Sequence, residues 1–351
     1  MRALITGGLG FIGSHLAEAL LARGDQVAIL DNFSRPGFAV HLDALIKAGL
    51  GTPPTRQDIR DSGAVVEAVS QADVVFHLAA QVAVTRSVAD PRTDFEVNTL
   101  GTLNVLEAVR VRPEPRPPVL YASTSKVYGY LRADWDADAR RWRARRTPWA
   151  NADGSVEEHQ SLEFRSPFGC SKGAADQYVL DYARTYGLRT AVLRTSCVYG
   201  PRQFGCADQG WLAWFAVAAA LGRPITVYGD GYQVRDVLHV RDCVEAYLLA
   251  ADYLLKARFG MWLRLNIGGG PGNILSILAG IRLIQQAAGR KIPVTFGPWR
   301  VGDQRAYVSN VGRAKKLLGW SPIVQAENGV VELVTWILEN KATVEEVFRD
   351  E

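Results

Sequence analysis

Residues 3–13 read Ala-Leu-Ile-Thr-Gly-Gly-Leu-Gly-Phe-Ile-Gly, an apolar strand that runs straight into a glycine-rich turn. Ser14 to Arg23 then carries a helical pattern, with Leu16, Leu20 and Leu21 apolar, His15 and Glu18 polar, and Gly24 as the stop. Gly7 lets the chain turn sharply off the strand. Gly10 lets the backbone approach a pyrophosphate, and Gly13 lets the helix pack close to the sheet. The start of the helix adds unpaired N–H groups and a partial positive charge. Glycines at this spacing, between a strand and a helix, form a dinucleotide-binding fingerprint. The next strand, Gln26 to Leu30, ends at Asp31, roughly 20 residues on, where a carboxylate accepts from both ribose hydroxyls. That acid would repel a 2′-phosphate. The expected cofactor is therefore NAD rather than NADP, with the nearby Arg35 as the one charge that argues the other way.

Outward from this unit the alternation continues. Asp73 to Leu78, Pro118 to Ala122 and Thr190 to Arg194 are apolar strands, while Thr99 to Val111 and Ala174 to Tyr186 are amphipathic helices. Apolar strands alternating with helices predict an α/β fold, a doubly wound parallel sheet of the Rossmann type. The second half is less regular. It suggests a smaller mixed α/β C-terminal substrate lobe. The expected division is a cofactor domain over 1–195, with an excursion near 130–162 and a returning segment near 232–256, and a lobe over 196–231 and 257–351.

Composition sets the outer limits. The chain has 351 residues, 48% apolar and 22% charged, which excludes disorder, collagen and coiled coil. Its net charge of +4 is too small to argue for nucleic acid, though it suits an anionic ligand. The excursion interleaves Arg140, Arg141, Arg143, Arg145 and Arg146 with Trp135, Trp142 and Trp149. Such a pattern can stack on bases. Asp134, Asp136 and Asp138 balance it, and a solvated surface excursion is expected instead. Cys170, Cys197, Cys206 and Cys243 lack ligand spacing, so no metal site or disulfide scaffold is expected. Neither a membrane-length apolar run nor a signal-peptide layout is present, so the expected setting is the cytoplasm.

Several further pieces make the chain similar to the extended short-chain dehydrogenase/reductases, the superfamily of nucleotide-sugar epimerases and dehydratases. They are Asp58-Ile59-Arg60, His77-Leu78-Ala79-Ala80, Asn98, the run from Ser123 to Gly129, the run from Ser166 to Lys172, Val198 to Arg202, Arg235-Asp236, and Arg300 to Asp303. Within it, GCSKGAADQYVLDYARTYGLRT, TSCVYGPRQF, DQGW and GDQRAYVSN resemble the CDP-paratose 2-epimerase group. The resemblance implies NAD held permanently, a CDP-linked sugar substrate epimerised through a 2-keto sugar, and a homodimer or homotetramer. It places cofactor contacts at Phe11, Ile12, Asp31, Asn32, Ser34, Arg35, Asp58, Ile59, Leu78, Ala79, Ala80, Asn98, Lys172, Thr195 and Ser196. It places substrate contacts at Thr124, Ser125, Lys126, Gln203, Phe204, Gln209, Arg235, Arg300 and Asp303. For Asn98, helix capping serves equally well.

The resemblance also implies a catalytic Tyr four residues before a Lys on one helix face. Lys172 occupies the Lys position, but the Tyr position is Phe168. Phenylalanine has no proton to exchange, so three readings stand. The chain is a deliberate Tyr→Phe variant. Or it uses another base, among Thr124, Ser125, Tyr128, Tyr199 and Cys170, directly or through water. Or it binds NAD and a nucleotide sugar without turnover. Ser125-Lys126 replaces the acidic pair that follows this Thr in 4,6-dehydratases, which argues against water elimination. A nucleotide-sugar 4-epimerase is the close alternative.

Overall fold

The computed structural model describes residues 1–145, 153–300 and 302–349. Seven parallel strands form the central sheet in the order Trp262–Ile267, Thr190–Thr195, Val119–Thr124, Val74–His77, Arg2–Thr6, Gln26–Asp31 and Thr55–Arg56. Apart from the exposed edge strand Thr55–Arg56, the strands are largely buried, as expected for a sheet covered by helices on both faces. One core packs Leu16, Leu20, Val244, Tyr247 and Leu254 on one face, and another packs Val65, Val105, Leu106, Val179 and Leu180 on the other.

The strand order reverses at Arg2–Thr6, whose neighbours are Gln26–Asp31 and Val74–His77. Ligands bind doubly wound sheets beyond the strand C-termini at such a reversal. The glycine turn, Asp31 and the loop after His77 all lie there. His77 itself is held by Thr6 and Thr102, at 2.7 and 3.0 Å, and burial lowers its pKa to about 3. It is a neutral core residue.

Two features differ from the sequence reading. Trp262–Ile267, expected in the lobe, is the edge strand of the large sheet and pairs in parallel with Thr190–Thr195. The chain leaves for the lobe and returns before the sheet is complete. The helix expected from Ala174 begins eight residues earlier, at Ser166, with Pro167 in its first turn. Phe168 and Lys172 are therefore both helical.

The lobe has its own core, in which Leu212, Phe215, Ile281, Leu333 and Ile337 meet. Val234–His239 joins it to the sheet region. That strand pairs in parallel with Cys197–Tyr199 and Ala306–Tyr307 and antiparallel with Ile274–Ser276.

The excursion is more ordered than a solvated loop. Ala133–Asp136 and Arg141–Ala144 form an antiparallel hairpin. Trp142 Nε1 donates to Asp230 at 2.7 Å, and Trp135 packs edge-on against Trp142 and Tyr232. The Arg305 guanidinium lies 4.4 Å from the Trp142 ring and 5.4 Å from the Trp299 ring. Trp142 thus fastens the hairpin to the lobe, while Trp135, packed edge-on against Trp142 and Tyr232, stays partly exposed. Arg146 and Trp149 lie outside the described residues.

Candidate active site

One cleft of about 650 Å³ runs from the glycine turn to the lobe. Its floor at one end is Gly7, Gly10, Phe11, Ile12 and Gly13. Gly7 has φ +73°, and a Cβ there would meet Ala79 N at 2.7 Å. A Cβ on Gly13 would lie 2.3 Å from Gly7 O and 2.8 Å from Gly8 Cα. Backbone stands on that side, so the turn cannot yield cheaply. Gly13→Ala is therefore expected to weaken NAD retention at least about 10-fold, because the third glycine sets the approach of helix to sheet. Cofactor absorbance in the purified protein, with circular dichroism as a check on folding, reads it; unchanged retention would contradict the role.

Asp31 stands beside the turn and is buried. It accepts the backbone N–H of Leu9 at 2.9 Å and of Phe33 at 2.8 Å. Burial raises its pKa, and these two bonds oppose the rise. Each oxygen keeps lone pairs for a ribose hydroxyl. Asp58 lines the same end, where the Arg60 side chain brings its carboxyl down to about 2. Asn32 donates to Asp58 at 3.2 Å, and Ser34 donates to Asn32. Ile59, Leu78, Ala79 and Ala80 complete the apolar wall. Arg35 and Gln209, expected on different ligands, meet each other at 2.6 Å across the cleft.

Farther along are Thr124, Ser125, Lys126, Phe168, Lys172, Thr195 and Ser196. Thr124 ends its strand opposite Thr195, and its Oγ1 accepts Lys126 N–H at 3.2 Å. Lys172 is buried with its ammonium 4.3 Å from the Tyr121 ring centroid. Burial pulls its pKa down to about 7, against the opposing charges of Asp176 and Asp94.

Of the alternative bases, Tyr128 and Cys170 do not line the cleft. Tyr128 Oη donates to Asn266 at 2.6 Å and accepts from Arg194, and burial pushes its pKa up to about 12. Cys170 is exposed. Tyr199 lines the cleft, but its hydroxyl donates to Ala326 O at 3.4 Å, where the lobe helix approaches at Gly329. Only Thr124 and Ser125 present hydroxyls among the five.

Gln203, Phe204, Gln209 and Arg235 line the lobe side. Gln203 Oε1 is buried without a hydrogen-bond partner among the described residues, which suits an acceptor awaiting a ligand. Arg300 and Asp303 do not line the cleft. Arg300 donates to Ala207 O at 2.9 Å and lies 3.9 Å from the Tyr228 ring centroid. Asp303 accepts from Arg235 at 2.6 Å and stands 3.7 Å from Lys126 Nζ. Asp303 therefore meets the cleft only by way of Arg235 and Lys126, which line it. Asn98 does not line it either, nor does it cap. It sits inside the π-turn Glu96–Leu100 and bonds Gln81, Asp94 and Ser171, which supports the loop after Ala80. Sequence reasoning overlooked Asp208 and Trp211, which line the cleft within the quoted DQGW run.

The NAD dependent epimerase/dehydratase family matches residues 3–268. The chain belongs to that family. It is 40% identical to CDP-paratose 2-epimerase of Salmonella typhi, over 96% of this chain and 99% of that one. The UDP-glucose 4-epimerase of Thermus thermophilus, solved in complex with NAD, superposes with TM-score 0.78 at 34% identity, covering 96% of this chain and 98% of that one. The UDP-glucose 4-epimerase of Thermotoga maritima, solved with UDP-glucose, gives TM-score 0.81 at 29% identity over 97% and 100% of the two chains. This family member is accordingly an NAD-dependent sugar epimerase, and the glycine turn, Asp31 and Lys172 fit that cofactor.

Proposed function

We propose that this epimerase inverts C2 of a CDP-linked deoxyhexose, interconverting CDP-paratose and CDP-tyvelose through a transient 2-keto sugar. The observation that carries this is the 40% identity to a CDP-paratose 2-epimerase along essentially both whole chains. In this reading the glycine turn holds the NAD pyrophosphate, Asp31 takes the adenosine ribose, and the Lys172 amine reaches the nicotinamide ribose. Bound NAD supplies reversible hydride transfer. Thr124 hydrogen-bonds the reacting sugar oxygen. Arg235 offers a planar, charge-assisted grip for the diphosphate, and Asp303 fixes its orientation. Pairing of two copies is part of the same reading, supported by the exposed Phe95, Tyr178 and Tyr186.

Phe168 decides the test. This chain and Phe168→Tyr are each incubated with CDP-paratose and CDP-tyvelose, and C2 configuration is followed by NMR. The expected result is C2 exchange by both chains, with the tyrosine version faster by at least about 10-fold, the lower edge of what a positioned proton donor contributes. Exchange by the tyrosine chain alone identifies Phe168 as a disabled base. Exchange by neither removes the CDP-sugar reading, and UDP-sugars inverted at C4 become the next substrates.

A further inference from the structure

The cleft lacks the tyrosine hydroxyl, yet it contains a second lysine besides Lys172. Lys126 follows Thr124 and Ser125 in the short turn Ser125–Tyr128, and its backbone N–H is pinned to the Thr124 hydroxyl. It lines the cleft together with Phe168, Cys197 and Arg235. Among the described residues its amine has only long polar contacts, 3.4 Å to Gly302 O and 3.7 Å to Asp303 Oδ1. That carboxylate is already committed to Arg235 at 2.6 Å. The Lys126 ammonium is thus half-buried, weakly partnered and within the field of the Arg235 guanidinium.

We propose that Lys126 is the proton acceptor for the sugar hydroxyl in this chain, in the place that Phe168 leaves without a hydroxyl. The proposal rests on the C2-epimerase reading and extends it. The neutral amine accepts the hydroxyl proton while the carbon beneath gives its hydrogen and electron pair to the cofactor. When that hydrogen returns to the opposite face, the ammonium gives the proton back to the oxygen. No further oxidant or acid is needed. Enclosure draws the amine below the usual lysine range; Asp303 opposes this, Arg235 reinforces it and Cys197 opposes it. A lysine so placed serves as a base more readily than a solvated one. Lys172 is less suited, because the same proposed function commits its amine to the ribose.

Two measurements test it. In the NAD-loaded full chain, trace acetylation read by mass spectrometry across pH reports when each amine becomes neutral. Lys126 is expected to reach half-reactivity at a lower pH than a short lysine peptide acetylated alongside it. Equal midpoints would overturn the proposal whatever the substrate. Second, Lys126→Arg keeps the charge and length but cannot lose its proton. It is expected to lower turnover at least about 100-fold in this chain, and under about 10-fold when Phe168→Tyr restores the hydroxyl. Equal losses in the two backgrounds would mean that Lys126 only binds or positions. If neither background exchanges CDP-sugars, the epimerase reading fails, and the labelling midpoints still decide the state of the amine.

Discussion

Lys172→Met is expected to lower turnover by at least about 100-fold and, in the cofactor-free protein at neutral pH, to raise stability. The two effects share one cause. Lys172 sits one helical turn beyond Phe168, buried, with its ammonium against the Tyr121 ring. The ring face stabilises the cation, but less than the lost water did. Burial therefore leaves the amine with a pKa of about 7. In the unfolded chain it returns to about 10.4. Between these values the unfolded state binds more protons, so folding stability rises with pH across the window. The full penalty, a few kcal/mol, is present below pH 7 and is gone above about pH 10.4. Methionine of similar length has no such slope. The difference in Tm, methionine minus lysine, is expected to be positive at pH 6 to 7 and to shrink towards pH 10. Parallel Tm curves would mean that the amine is not buried in its charged form. The catalytic loss has a separate readout, the affinity for NAD.

The second large effect concerns Asp176, one turn farther along the same helix. Its carboxylate takes Arg194 Nε at 2.9 Å and Nη2 at 2.8 Å, and accepts from Ser123 Oγ at 2.7 Å. Both members of the pair are completely buried. Arg194 also reaches Tyr128 Oη at 3.1 Å, which continues to Asn266 on the edge strand. The pair thus ties the helix carrying Phe168 and Lys172 to three strands beneath the cleft. Asp176→Ala strands the guanidinium in the interior and is expected to cost about 3–5 kcal/mol. The companion Asp176→Leu/Arg194→Met protein removes both charges and is expected to recover most of that loss. Denaturant unfolding of the two proteins decides the matter. If the double variant is no more stable than Asp176→Ala, the stabilisation lies in the pair itself rather than in avoiding an orphaned charge.

Much of the architecture was legible because it is written in local patterns. The glycine turn, Asp31 and the apolar strands depend on near neighbours, and the structure assembles them at the strand-order reversal. Phe168 and Lys172 share a helix face because four residues separate them. What stayed illegible depends on distant partners. Nothing near Arg300 announces Tyr228 and Ala207, and nothing near Asp303 announces Arg235. Tyr128 and Tyr199 carry the hydroxyls that a missing base calls for, yet their oxygens are turned to Asn266 and Ala326. Asn98 has the chemistry of a cap, but a π-turn places it mid-helix. The excursion read as a solvated surface segment because Asp230, Tyr232 and Arg305, which its tryptophans meet, lie far away in sequence.

The late edge strand bears on how the chain is made. Thr190–Thr195 leaves the ribosome well before Trp262–Ile267, the strand that covers its outer side. Synthesis proceeds at about 5–20 residues per second, so this buried ladder stays open for several seconds. An open, apolar strand edge is a template for pairing with another nascent chain. Translation halted between residues 200 and 260 would therefore release a sheet one strand short, with its aggregation-prone side bare.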